Sequence, residues 1–381
     1  MAARQQLSFA QKLDLIAAFA FRIPLSLTFN VFKTAIGASA RGLPLRPSIQ
    51  NAYARAIMDC LHPHQVQTIA PSTMQTYTSW IRRNAQRTGL SHRVDTLKDE
   101  TTHLVWLGPK RSDKVILFFH GGGYVLPLSD GHLDWMAHVR KSCLEASLDV
   151  SVCILEYSLV PGHRYPTQLR QALMGLQHLV DHGYKLSDII LGGDSAGGHL
   201  SLSVLSALMR PYPPHPSAAT TITSTVGNNS GRLRGCFLIS PLLSLDLTTP
   251  SYRQRFSVDV LSPYVVRTFG KYLVDQTSWH EEISRGKGWG MALDVPGKWW
   301  DDLGLVVDEL LVTAGQEEIF RDHVGQFVQL IRQQATVDLV AHIALDEAHD
   351  APLMDFMARR SPRGTTEIVT SWIVDAFQKQ G

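Results

Sequence analysis

From about residue 100 onward, this chain of 381 residues predicts an α/β domain with a mostly parallel central sheet flanked by helices. Short β-rich runs alternate with helical stretches, the pattern of strands joined by crossover helices. Most of those runs are continuously apolar, as strands are when both faces of a sheet are covered. A third observation is local: the apolar run 186–192 passes straight into Gly193-Asp194-Ser195-Ala196-Gly197-Gly198 and then a helical stretch. Glycines on both sides of the serine let a strand and a helix approach closely around a sharp turn.

In chain order, residues 1–95 read as mostly helical, most clearly at 49–60 and 72–87, with no strand partner. Within them, the apolar stretches 15–21 and 23–32 are separated by Arg22 and Pro24, and neither reaches the ~20 residues a bilayer span needs. Arg4, Lys12, Asp14 and Arg22 are scattered through the segment rather than gathered ahead of one apolar core, against a secretory signal. Two readings stand: a helical segment packed on the protein, or residues 8–36 lying in a membrane interface as amphipathic anchors do. Strands are predicted at 102–107, 114–120, 150–157, 186–192, 233–240, 310–314 and 337–343, with helices at 131–145, 166–182, 196–209, 322–334 and 365–380. Residues 243–303 break the alternation and read as helical and irregular, ending in Trp299-Trp300.

The predicted organisation is therefore an N-terminal helical segment (1–95), an α/β domain in two stretches (96–242 and 304–381) and an insertion (243–303). The first and last are expected to form a helical cap over one face of the sheet. Surface decoration is the alternative, since long insertions cost little in loop entropy. Residues 211–232, opening with Tyr212-Pro213-Pro214-His215-Pro216 and continuing in Ser, Thr, Gly and Asn, predict a mobile loop.

Composition bounds the chemistry. The chain is 44% apolar and 18% charged, an ordinary globular balance. Its 36 basic and 34 acidic side chains nearly cancel, which leaves no charge reservoir for a nucleic-acid partner. Cys60, Cys143, Cys153 and Cys236 form no C-x-x-C pair and no cluster with histidines at metal-ligand spacing. They read as small buried hydrophobes of a reducing compartment. A cytoplasmic protein is expected, with endoplasmic-reticulum or other membrane association through the N-terminal segment as the alternative.

A serine hydroxyl becomes a nucleophile when the backbone thrusts it outward and a base stands within reach, and Ser195 has the local sequence for the first condition. A second glycine cluster, His120-Gly121-Gly122-Gly123-Tyr124, follows the predicted strand 114–120. A dinucleotide loop would need glycine at 126, where the chain has Leu126. Bare amides converging on one point can instead stabilise the oxygen of an attacked acyl carbonyl. Downstream, Asp346-Glu347-Ala348-His349-Asp350 follows the last predicted strand, so His349 is the expected base. The orienting acid should lie between Ser195 and His349, and the stretch after strand 310–314 offers Glu317, Glu318 and Asp322.

The pairing of His120-Gly121-Gly122-Gly123 with Gly193-Asp194-Ser195-Ala196-Gly197-Gly198 resembles the hormone-sensitive-lipase-like branch of the α/β-hydrolases, which includes fungal steryl acetyl hydrolase-type proteins. Tyr157 to Pro161 and Tyr165-Pro166 resemble that branch's intervening segment, and the likeness covers roughly residues 100–380. It implies a triad of Ser195, Glu318 and His349, with Glu318 chosen because Glu318 to Asp322 matches the family's acid segment at its first position. An oxyanion hole from the amides of Gly122, Gly123 and Ala196 is implied as well. Gly162, Gln171 and Ala351 depart from the common pattern, the last of them at a position that shapes the pocket. Gly-Asp-Ser also occurs in trypsin-like proteases, where histidine and aspartate precede the serine; here the order is reversed.

The expected reaction is hydrolysis of a short-acyl ester of a lipophilic alcohol through an acyl-enzyme, with a small-molecule ester as partner and no metal or organic cofactor. Acyl transfer, amide or formamide hydrolysis and cyclisation reuse the same triad. A non-catalytic receptor of the same fold is the remaining alternative, and the presence of His349 argues against it. Trp279, Trp289, Trp299 and Trp300 in the insertion suggest an apolar acyl or alcohol group, or plain packing.

Overall fold

The computed structural model describes residues 7–110, 112–212 and 231–379, so nearly all of the loop expected at 211–232 lies outside the described residues. Eight strands form one sheet: β1 (Val94–Thr96), β2 (His103–Leu107), β3 (Lys114–Phe119), β4 (Val150–Glu156), β5 (Ile189–Asp194), β6 (Gly235–Ile239), β7 (Glu309–Gly315) and β8 (Asp338–Ala344). Their order across the sheet is β1-β2-β4-β3-β5-β6-β7-β8. The pairs β1/β2 and β2/β4 are antiparallel and all others parallel. Alternation within β3 shows why both faces are covered. Val115, Leu117 and Phe119 enter one core layer, while Ile116 and Phe118 enter the other, beneath helices Asp130–Glu145 and Thr365–Gln378. Of the cysteines, Cys143, Cys153 and Cys236 are buried and Cys60 is partly so.

The chain leaves β3 in one direction to reach β4 and returns past it to β5, so the order reverses between β3 and β5. In open α/β sheets that reversal opens a crevice at the carboxyl ends of the strands. The loops holding His120 to Tyr124, Ser195, Glu318 and His349 all follow strand carboxyl ends there.

Four sequence expectations are corrected. The segment 1–95 does hold a strand, since Val94–Thr96 pairs with β2; three residues are too few to show a period. Residues Leu186–Asp188 form a 3-10 turn and the strand begins at Ile189, with Asp188 accepting the Lys185 N–H to close the turn. A short helix, Ala351–Met357, follows the histidine loop unpredicted. The N-terminal apolar stretches, finally, are one helix, Phe9–Ala40.

Arg22 and Pro24 do not break that helix. Arg22 reaches back to pair with Asp14 at 2.8 Å. Residues Ala18–Arg22 form a π-turn in which Ile23 donates to the carbonyl of Ala18. Pro24 then falls in the first turn of the renewed α-helix Ile23–Ala40, where its missing N–H costs least. The far half of the helix packs on the insertion: Thr34 donates to the carbonyl of Ser257 at 2.6 Å, and Gly37 lies against Ser257 and Val258.

The insertion's tryptophans are packing residues. All four are buried, and their indole N–H groups donate to the carbonyls of Gly290, Arg210 and Ala292 and to the Ser206 hydroxyl. They lie against helix Ala196–Met209 and its neighbours, which removes them as evidence about a substrate.

Candidate active site

Ser195 occupies the turn between β5 and helix Ala196–Met209 with φ 51° and ψ −111°. A non-glycine residue in such a region costs on the order of 1–3 kcal/mol and persists only where its surroundings hold it. Here the Ser195 N–H donates to Ile239 in β6 at 2.8 Å, and its carbonyl accepts from His199 and Leu242. Glycine is compulsory beside it. A Cβ on Gly197 would stand 1.8 Å from the carbonyl oxygen of Phe119, so the end of β3 and the start of the helix touch backbone to backbone.

His349 lies in the loop after β8, with Nε2 3.0 Å from the Ser195 hydroxyl. Phe320 meets its ring edge-on at 5.0 Å. Burial drives the imidazole pKa down to about 3, against the opposing charge of Asp194, so at neutral pH the ring is uncharged and open to a proton.

The three acid candidates separate by their partners. Glu317 is held by Arg255 at 2.9 and 3.1 Å and by Arg41 at 2.9 Å, so its carboxylate is already paired with two guanidinium groups. Asp322 accepts from the Ser251 N–H at 2.7 Å and pairs with Arg321. Glu318 is fully buried with Oε2 4.0 Å from His349 Nδ1. The same oxygen accepts from the Ser240 hydroxyl at 2.6 Å and the Gly315 N–H at 3.0 Å. Among the described residues neither Glu318 Oε1 nor His349 Nδ1 has a hydrogen-bond partner. Burial, then the nearby charge of Asp259, pushes the Glu318 pKa up to about 8.

In the glycine loop, Gly122, Gly123 and Tyr124 all have positive φ, at 103°, 61° and 61°. Glycine at 122 and 123 accommodates that backbone without steric cost. Gly121 donates to Asp194 at 2.9 Å, tying the loop to the serine turn. A Cβ on Gly123 would meet the Phe269 ring at 2.5 Å, which places the insertion directly against the loop. His120 is buried, stacked on Tyr157 at 4.4 Å, and held neutral by burial with its pKa down to about 3. Its place is structural.

A family model described as the alpha/beta hydrolase fold matches residues 116–353. The chain belongs to that family. It falls in the hormone-sensitive-lipase-like branch that the motifs resemble. Over 245 residues the chain is 30% identical to mug81 of Schizosaccharomyces pombe, whose name provisionally makes it a steryl acetyl hydrolase. It is 29% identical over 178 residues to human arylacetamide deacetylase-like 3. These alignments take in 61% and 45% of this chain but only 58% and 38% of the relatives, so the chain spans under two thirds of either. Among solved structures, fungal esterases of Rhizomucor miehei share the fold at TM-score 0.62 and 16% identity, over 86% of this chain and 95% of theirs.

Four residues of the candidate site escaped the sequence reading. Ser240 links the acid to the histidine loop, donating to Glu318 and accepting the Asp350 N–H at 3.2 Å. Its position at the end of β6 was the available signal, since these sheets gather functional groups at strand ends. Asp350, with φ 57°, carries a buried carboxyl close enough to the buried Asp194 for their charges to interact. Burial and the Asp194 charge raise the Asp350 pKa, whereas that of Asp194 is lowered, the effect of burial being outweighed chiefly by His132. His132 reaches Asp194 at 3.3 Å from a helix that carried no motif. Asp259 has no sequence signal at all and comes from the insertion. Among the described residues no group of three or more His, Cys, Asp or Glu side chains is arranged to hold a metal.

Proposed function

We propose that this protein is a serine-dependent carboxylic ester hydrolase acting on a short acyl group carried by a lipophilic alcohol. The observation that carries the reading is the 3.0 Å approach of His349 Nε2 to a Ser195 hydroxyl held at positive φ on a strand-to-helix turn. In this reading the Ser195 oxygen attacks the acyl carbon while His349 takes its proton and then delivers it to the departing alcohol. Glu318 closes on Nδ1 as the imidazole becomes charged, since such contacts tighten in the reacting complex. The amides of Gly122, Gly123 and Ala196 hold the negative oxygen. Water, deprotonated by the same histidine, then releases the acid and regenerates Ser195.

The short acyl group is favoured by the relatives' names, among them an acetyl-hydrolase of Streptomyces hygroscopicus 32% identical over 121 residues. Hydrolysis rates across p-nitrophenyl esters from acetyl to palmitoyl test it. The expected result is a maximum kcat/KM at two to four carbons, a range set by the acetyl-type reading; a maximum at eight or more carbons overturns the acyl assignment.

The lipophilic alcohol is favoured by the outer face of helix Phe9–Ala40. Phe9, Leu13, Ile16, Phe21, Leu25, Phe29, Phe32 and Ile36 are each between 50% and 76% exposed. Their spacings are three and four except across the π-turn, where Ile16 to Phe21 is five and Phe19, 52% exposed, lies between them. The extra residue of that turn keeps the stripe on one side of the helix. The opposite side is fastened to the protein, through Ala18 against Leu61 and Val66 and through Thr34, so the helix lies along the molecule. A helix held in that way fits an interfacial position better than a span, although its length and composition would allow either. Full-length protein is expected to float with phosphatidylcholine vesicles, and a Phe21→Glu/Phe29→Glu/Phe32→Glu variant to stay behind with unchanged hydrolysis of soluble esters. Wild-type protein that remains with the soluble fraction contradicts the interfacial position.

A further inference from the structure

The insertion places the Asp259 side chain among the catalytic loops. Asp259 is fully buried and accepts the His349 N–H on Oδ1 at 3.0 Å and the Ile319 N–H on Oδ2 at 2.7 Å. A single carboxylate thus grips the backbone of the base and of the residue beside the acid. Oδ1 also accepts from Val260 at 2.6 Å, which fixes the carboxylate's rotation.

Asp259 is itself held from outside. The Arg55 guanidinium, from helix Leu45–Cys60, donates to its carbonyl and to Thr34 Oγ at 2.8 Å. Asn51 donates to the neighbouring carbonyl of Val258 at 3.2 Å. The N-terminal helices therefore brace the turn at 257–259, and that turn braces the acid and histidine loops.

Resting on the serine-hydrolase reading above, we propose that Asp259 is a positioning residue of catalysis, setting the separation and mutual orientation of Glu318 and His349. The gap it governs is the 4.0 Å between Glu318 Oε2 and His349 Nδ1, which must shorten when the imidazole takes a proton. Small errors in such a gap are costly, since a displacement of about 1 Å can lower rates roughly 100-fold.

A buried carboxylate that merely stapled two loops would affect folding alone. The charge of Asp259 distinguishes the cases, because it disfavours ionisation of Glu318. The titratable and charged groups around the pair are Glu318 and His349 in the catalytic loops, Glu347 and Asp350 beside them, Arg55 from the N-terminal helices and Tyr252 from the insertion. Asp259→Asn keeps the shape, removes the charge and puts a donor where one acceptor stood. Either Ile319 or His349 then loses its partner.

The test is kcat and KM for p-nitrophenyl acetate between pH 5 and 9, with melting and fluorophosphonate labelling of the same samples. D259N is expected to lose roughly 10- to 100-fold in kcat with KM nearly unchanged, and to shift the acid limb of its rate profile to lower pH. An unchanged kcat, or a loss with the acid limb unmoved, overturns the proposal. Should D259N not fold, Arg55→Lys loosens the same turn from outside; lower kcat supports the proposal, and wild-type kcat overturns it. Active wild type with an unaffected D259N overturns the positioning role alone. Wild type that neither hydrolyses the ester nor labels at Ser195 overturns the hydrolase reading as well.

Discussion

Ser195→Ala is expected to lower turnover of p-nitrophenyl acetate by at least about 10⁴-fold while leaving the melting temperature close to wild type. Among the described residues the Ser195 hydroxyl has one hydrogen-bond partner, His349, and it makes no side-chain cap to the helix it precedes. Alanine therefore deletes the nucleophile without removing a structural bond. The backbone bonds that hold the turn, from Ser195 to Ile239 and from Leu242 and His199 to Ser195, do not involve the side chain. The polarising amides of the glycine loop remain, so slow residual turnover above the solution rate is also expected. Steady-state kinetics beside a thermal melt measures both halves of the prediction.

Glu318→Gln is expected to cost on the order of 10⁴-fold in kcat, whereas Glu317→Gln stays within about tenfold of wild type. The amide oxygen of glutamine can take the place of Oε2 and keep the bonds from Ser240 and Gly315. Its NH₂ then occupies the side where Oε1 has no partner. What disappears is the carboxyl whose ionisation opposite Nδ1 would steady the imidazolium. At Glu317 the substitution weakens the pairing with Arg41 and Arg255 and removes no contact to the imidazole.

The same substitution has a stability signature whose sign follows from the raised pKa. A carboxyl raised to about 8 in the fold favours folding most below its unfolded value of 4.5, and that contribution is lost as pH rises toward 8. Glutamine never ionises, so E318Q should melt higher relative to wild type at pH 8.5 than at pH 5. A melting difference that stays constant between those pH values contradicts the buried, hard-to-ionise acid.

The sheet was legible because it is made of long apolar runs with one periodic rule, and seven of its eight strands were recognisable in that way. Ser195, the glycine loop and His349 were legible because glycine and strand ends mark where a backbone must turn or approach closely. The choice among Glu317, Glu318 and Asp322 was not available from residue type. All three are carboxylates in one turn, and only their partners, Arg41 and Arg255, Ser240, or the Ser251 amide, separate them. Asp259 was wholly hidden, since its bonds reach 60 and 90 residues along the chain from an insertion with no regular pattern. The N-terminal helix was misjudged for a local reason: proline and arginine usually end an apolar helix, and here a π-turn and the Arg22–Asp14 pair carry it through.

Mass spectrometry of the protein after brief exposure to a fluorophosphonate tests the central claim most directly. One adduct per chain is expected, on the peptide carrying Ser195, absent from Ser195→Ala and blocked by prior incubation with a slowly hydrolysed ester. Ester hydrolysis by a protein that takes no label at Ser195, or equal labelling of the alanine variant, would contradict the account.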